Sequence, residues 1–155
     1  VGSHPSGLIG DNAKAMKANL KPMIARVLSG ERDFLEIYGS DYDTRDGTCL
    51  RDYIHISDLA AGHIKAIDYL DNTQGSTAIN LGTGDGISVL EMVRAFEKVT
   101  GMELPVKFSG RRSGDVPISY ADCTKAKNLL GWTPEHSVED MCRSTWDWCQ
   151  QLGSQ

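Results

Sequence analysis

The stretch Gly47-Thr48-Cys49-Leu50-Arg51-Asp52-Tyr53-Ile54-His55-Ile56-Ser57-Asp58-Leu59-Ala60-Ala61-Gly62-His63 runs a strand pattern directly into a helix pattern, so the fold has to hold both. Leu50, Ile54 and Ile56 alternate with Arg51, Tyr53 and His55, the period of two expected of a half-buried strand, which puts Arg51 opposite the Leu50 face. Ser57 or Asp58 can then cap a helix that turns Leu59, Ala60, Ile64, Ile67 and Leu70 to one side.

The remainder of the sequence continues the alternation. Asn19 can cap a helix in which an early Pro22 is tolerated and Met23, Ile24, Val27 and Leu28 recur at helical spacing before Gly30. A strand is expected over Phe34 to Tyr38, and Gly39 to Thr48 reads as a polar loop. Thr77 to Leu81 is a further predicted strand. Ser88 with Glu91 three residues on is a capping-box signature for a helix ending at Gly101, and Leu104 to Phe108 returns as a strand. Asp122 caps a helix ending at Leu130-Gly131. Ser137 caps a last one, with a stripe of Val138, Met141, Cys142, Thr145, Trp146, Cys149 and Leu152. The fold class read from this order is mixed α/β, and no linker rich in Pro, Gly or Ser divides residues 1–155, which read as one domain.

The formal charge of −5 argues against a broad nucleic-acid or acidic-membrane surface, so any phosphate site must be local. No apolar run approaches the ~18 residues of a membrane span. Cys49, Cys123, Cys142 and Cys149 fit no C-x-x-C pair. Cys142 and Cys149, seven residues apart on one helix, stand about 10 Å apart along its axis, too far for a disulfide. Reduced thiols in a cytoplasmic protein are expected. The sequence opens Val-Gly-Ser-His-Pro without methionine or signal features and reads as an excised segment, not a precursor.

Several motifs have a functional and a plainer reading. Gly82-Thr83-Gly84-Asp85-Gly86 misses the dinucleotide spacing G-x-G-x-x-G, because position 87 is Ile87, and reads instead as a tight strand-to-helix turn. Arg51 and Arg112 suit phosphate recognition by guanidinium forks, with surface ion pairing, Arg51 to Asp52 and Arg112 to Asp115, as the alternative. Asn19 can cap its helix, or donate to an anion at that helix N-terminus. Tyr38 is either a sheet-packing aromatic or a stacking platform. His4, His55 and His63 lack partners at metal-ligand spacing, no serine lies in G-x-S-x-G, and the tryptophans read as core or interface residues.

In their order, His4-Pro5-Ser6-Gly7, Asn19-Leu20-Lys21-Pro22, Ile37-Tyr38-Gly39, Arg51-Asp52-Tyr53-Ile54-His55, Asn80-Leu81-Gly82 and Arg111-Arg112-Ser113-Gly114-Asp115 resemble the UDP-glucose 4-epimerases over almost the whole chain. The resemblance implies the C-terminal, UDP-sugar-binding half of an extended short-chain dehydrogenase/reductase, a small mixed α/β domain docked on an N-terminal Rossmann domain that this sequence lacks. It also implies interconversion of UDP-galactose and UDP-glucose. Hydride leaves sugar C4 for NAD, which the missing half holds, and returns to the opposite face of the 4-keto intermediate. The required tyrosine with a lysine four residues on is absent, Tyr120 and Lys125 being one residue too far apart, so no catalytic residue is expected here.

By the same resemblance Arg51 and Arg112 contact the diphosphate, Asp115 accepts from ribose hydroxyls, Asn19 and Leu20 border the nucleotide, and Arg111 faces elsewhere. Glu36, Ile37 and Tyr38 lie along the uracil, with Tyr38 stacked on it. Ser119 is the small residue at a position where other members carry tyrosine, implying acceptance of UDP-N-acetylhexosamines. The full-length protein is expected to be a homodimer. A related nucleotide-sugar dehydratase or decarboxylase, or a stand-alone binding module, remains the alternative.

Overall fold

The computed structural model describes residues 1–10 and 19–153, the side chains of 152 and 153 excepted. Its elements run α1 (Leu20–Leu28), β1 (Leu35–Tyr38), β2 (Leu50–Arg51), α2 (Ile56–Leu70), β3 (Ile87–Ser88), α3 (Val89–Thr100), β4 (Val106–Ser109), β5 (Ile118–Ser119), α4 (Thr124–Leu130) and α5 (Val138–Gly153). β1 pairs in parallel with β4, Leu35 opposite Val106 and Tyr38 opposite Ser109. β2 lies between β3, antiparallel, and β5, parallel.

The caps explain where the helices begin. Ser88 accepts from the Glu91 amide at 3.0 Å while Glu91 accepts from the Ser88 amide at 2.8 Å, the predicted reciprocal box, and Gly101 closes α3 at φ 68°. Ser137 and Asp140 repeat the arrangement at α5. At α4 the cap position falls on Cys123, although the Asp122 carboxylate does accept from the Thr124 amide at 2.9 Å. Asn19 takes the cap position of α1 without a side-chain capping bond.

One core joins α1, β1, α3 and α5. Ile24, Val27, Leu28, Leu35, Ile37, Met92, Val93, Phe96, Leu104 and Cys142 are buried together, and Met141 and Thr145 on the α5 stripe are buried as well. Leu152, the last residue predicted on that stripe, lies outside the described side chains. A smaller cluster gathers Ala126, Leu130 and Trp132 against Ile54, Ala66, Tyr69, Ile79 and Leu81.

Around α2 the structure departs from the sequence expectation. The strand predicted to Ile56 stops as a ladder at Arg51, because the stretch beyond it bonds the backbone of Val1: Ile54 O accepts from Val1 N at 2.7 Å and Ile56 N donates to Val1 O at 2.8 Å. The helix is capped not by Ser57 or Asp58 but by His55, whose Nδ1 accepts from the Ser57 amide. The apolar stripe that the spacing predicts on one side of the helix is turned out, with Ile64, Ile67 and Leu70 each about 60% exposed. α2 instead packs through buried Asp58 and Gly62, where a Cβ on Gly62 would meet Leu81 at 2.8 Å and Trp132 at 3.2 Å. The predicted strand Thr77 to Leu81 pairs with no described strand.

Candidate functional site

A cavity of about 310 Å³ opens where the start of α1, strands β1 and β2, the start of α3 and the 109–116 loop meet. Leu20, Glu36, Ile37, Tyr38, Arg51, Arg112 and Asp115, which the sequence reading selected from four separate stretches, all line it. Strand period brings β1 there in alternation: Leu35 and Ile37 are buried toward the core while Glu36 and Tyr38 are half-buried on the other face. Burial of Ile37 leaves its backbone as the group it can offer. Arg32, Arg51 and Arg112 outnumber Glu36 and Asp115 in the lining, a local positive surplus within a chain of net charge −5.

The polar groups hold one another in place. Glu36 accepts from Ser109 Oγ at 2.6 Å and from the Tyr38 hydroxyl at 2.8 Å, and these two bonds, the serine's foremost, keep its carboxyl below the usual range. The Arg112 guanidinium lies 4.2 Å from the centroid of the Tyr38 ring. Arg51 Nη1 donates to the carbonyls of Leu50 and Val116, both at 2.8 Å, and Nη2 stands 3.6 Å from Asp115 Oδ1. The plain ion pairs suggested by the sequence are therefore rearranged: Asp115 pairs with Arg51, and Asp52 points elsewhere. Arg111 lies outside this cavity, pairing with Asp41 at 2.9 Å and covering the Tyr42 ring.

Leu20, Arg51 and Tyr53 also line a second cavity of about 820 Å³, with Val1, His4, Asn19, Lys21 and Ser57. Asn19 belongs to this neighbour, across the Leu20 wall from the first cavity. Burial pushes the Tyr53 phenol up to about 12, so it stands between the two cavities as a neutral group at ordinary pH. Ser119 is paired with Arg51 across the β2–β5 seam but is exposed and lines neither cavity. Tyr53, Arg32, Met23, Cys49 and Val89 are lining residues that the sequence reading did not select. Tyr53 carried a usable signal, because the alternation puts it on the face of Arg51. Arg32 sits in the turn before β1 and carried none.

The Gly82–Gly86 turn is filled by the protein itself. Asp52 Oδ1 accepts from Thr83 N at 2.7 Å and Thr83 Oγ1 at 2.6 Å, and Oδ2 accepts from Ala121 N at 3.0 Å and Gly84 N at 3.4 Å. A Cβ on Gly82 would stand 2.2 Å from Asp52 Oδ2. Burial opposes the charged carboxylate, yet the donors from Thr83, Ala121 and Gly84 outweigh it and leave the carboxyl below its usual range. Amides that would cradle a phosphate in a dinucleotide fold are here committed to a carboxylate, in keeping with the tight-turn reading.

His55 is buried, stacked at 4.1 Å on His136, and bonded to Ser144. His136 in turn bonds the buried Asp58 at 2.7 Å. Among the described residues no group of three or more His, Cys, Asp or Glu could hold a metal ion, and no helix is long and apolar enough to cross a membrane.

With this geometry in hand, comparison with known proteins gives the family. The family model described as GDP-mannose 4,6 dehydratase matches residues 4–145. The chain belongs to that family. Within it, the chain is 50% identical to the UDP-glucose 4-epimerase of Bacillus subtilis over 147 residues, covering 95% of this chain and 43% of that protein. It is 52% identical to the UDP-glucose 4-epimerase of Drosophila melanogaster over 153 residues, 97% and 44% of the two chains. Among solved structures, the UDP-glucose 4-epimerase of Stenotrophomonas maltophila with NAD and formylated UDP-arabinopyranose superposes with a TM-score of 0.96 at 44% identity, covering 99% of this chain and 46% of that one. The Bifidobacterium longum enzyme in complex with NAD+ and UDP gives 0.93 at 46% identity, 99% and 45% covered. The chain therefore has the mixed α/β fold of the C-terminal part of these enzymes and spans less than half their length.

Proposed function

We propose that residues 1–155 form the UDP-sugar-binding domain of a UDP-glucose 4-epimerase. The observation that carries this reading is the convergence of Glu36, Ile37, Tyr38, Arg51, Arg112 and Asp115 on one cavity with a surplus of positive charge. In this reading Tyr38 and the Glu36–Ile37 backbone receive the uracil, Asp115 takes ribose hydroxyls, and Arg51 and Arg112 hold the diphosphate, with Asn19 and Leu20 along its border. Firm binding of the nucleotide, remote from the reacting carbon, positions a sugar that itself has to turn over between hydride transfers. The substrates are UDP-galactose and UDP-glucose. UDP-N-acetylhexosamines are included because a serine at 119 leaves space at sugar C2.

The described residues do not fit NAD. The one glycine-rich turn with amides suited to a phosphate spends them on Asp52. No tyrosine of the sequence has a lysine four residues on, either. The dinucleotide and the chemistry at C4 are assigned to the remainder of the full-length protein. The turned-out face of Ile64, Ile67 and Leu70 on α2, with the unladdered stretch 77–81, is the surface that remainder would cover, as exposed apolar patches generally mark interaction sites. A homodimer in the cytoplasm completes the reading.

The test is to incubate the full-length protein with UDP-galactose and NAD and analyse the products. Formation of UDP-glucose supports the reading. A product lighter by one water would favour a dehydratase, the activity after which the family model is described. Turnover by residues 1–155 alone would overturn the assignment of the chemistry to the remainder.

A further inference from the structure

Asp52 follows Arg51 directly, yet its carboxylate leaves the cavity and joins three stretches of chain: the exit of β2, the turn at Thr83 and Gly84, and the segment after β5 at Ala121. The sheet it serves is minimal. β2 pairs with β3 only at Leu50–Ser88 and Arg51–Ile87, and with β5 only at Leu50–Ile118 and Arg51–Ser119. Such short ladders specify register weakly. Where the backbone pairing ends, the Asp52 side chain takes over.

What β5 carries matters for Arg51. Val116, two residues before Ile118, accepts from Arg51 Nη1, and Asp115 faces Nη2. A continuous path thus runs from the Asp52 carboxylate through Ala121 and β5 back to the Val116 carbonyl, which holds the Arg51 guanidinium. The Tyr38–Glu36–Ser109 group stands on the other sheet, β1 with β4, outside this path.

We propose that Asp52 is a positioning residue for the diphosphate end of the site, setting the aim of Arg51 through β5 and leaving the base end untouched. The proposal rests on the reading of the cavity as a UDP site. Its prediction is selective: loss of Asp52 removes the advantage that the second phosphate gives, not the affinity for the nucleoside.

The experiment measures the dissociation constants of UMP and UDP, well below Tm, for the full-length protein and its Asp52→Ala, Asp52→Asn, Thr83→Val and Thr83→Ser variants. The wild type is expected to bind UDP more tightly than UMP. In Asp52→Ala that ratio is expected to shrink by about tenfold, the scale of one charge-assisted contact, with UMP affinity changed less than about twofold. Asp52→Asn, which keeps one acceptor oxygen, should fall between. Thr83→Val removes one hydroxyl donor from an intact carboxylate and should shrink the ratio less, with Thr83→Ser restoring it; this pair decides the matter if Asp52→Ala does not fold. A folded Asp52→Ala or Thr83→Val protein whose UMP and UDP affinities fall together, ratio unchanged, overturns the positioning role and leaves the UDP site standing. A wild type that binds UMP and UDP equally overturns the UDP reading, and this inference with it.

Discussion

The core that joins α1, β1, α3 and α5 and the face of α2 were read from the same kind of pattern, apolar residues at helical spacing, and the structure treats them in opposite ways. On α3, Met92, Val93 and Phe96 are sealed against Ile24, Leu35 and Ile37. On α2, Ile64, Ile67 and Leu70 face outward, and the helix packs instead through Asp58, Gly62 and Ala66. Periodicity reports that a helix has an apolar side; it does not report whether the surface that side fits belongs to the same stretch of chain. One region is sealed within these residues; the other is exposed here and, in the proposed reading, is the face that the rest of the full-length protein covers.

The sharpest way to break that contrast is to mutate both regions. Phe96→Ala should cost about 3–5 kcal/mol of stability wherever it is measured, as truncation of a buried aromatic does. Ile64→Lys should change the stability of residues 1–155 by no more than about 0.5 kcal/mol, yet destabilise the full-length protein by about 1.5–3 kcal/mol, the scale of one buried isoleucine. Denaturant melts of both variants in both lengths check this, and an Ile64→Lys effect equal in the two lengths would erase the distinction between the regions.

Next in size are the arginines. Arg51→Met and Arg112→Met in the full-length protein should each weaken UDP binding by about 1.5–3 kcal/mol, because each removes a charged contact to the diphosphate. Competitive UDP titration reads the effect, and affinities within twofold of wild type would return both side chains to their roles in the observed pairs with Asp115 and Tyr38. Smallest in its effect on UDP-glucose is Ser119→Tyr. It should abolish turnover of UDP-N-acetylglucosamine and spare UDP-glucose, since a larger side chain penalises only the ligand that needs the space. Values of kcat/KM for both sugars in both proteins measure it; equal losses would remove Ser119 from the gate, a role its exposed place on β5 leaves to be tested.

Legibility followed the range of the interaction. The Ser88–Glu91 box, the Gly101 stop and the presence of strand β1 are local and are readable from residue types. Arg51 and Arg112 could be singled out, but their partners could not, because the bond from Arg51 to Val116 and the approach of Arg112 to Tyr38 join residues far apart in sequence. The cap of α2 was missed for a similar reason: His55 is not a favoured capping residue, and it serves because His136 and Ser144 from distant segments fix its ring. The short strands β3 and β5 left no pattern, two residues being too few to alternate. In the sequence Asp52 stands out only as a neighbour of Arg51, because its role in filling the Gly82–Gly84 turn depends on a contact across 31 residues.

The most direct test of the central claim is the structure of the full-length protein in complex with UDP. The account predicts uracil against Tyr38, with diphosphate oxygens within about 3 Å of guanidinium nitrogens of both Arg51 and Arg112, the distance of a charge-assisted hydrogen bond. UDP bound elsewhere, with Arg51 still held by Val116 and Asp115 and Arg112 still over Tyr38 facing empty solvent, would contradict it.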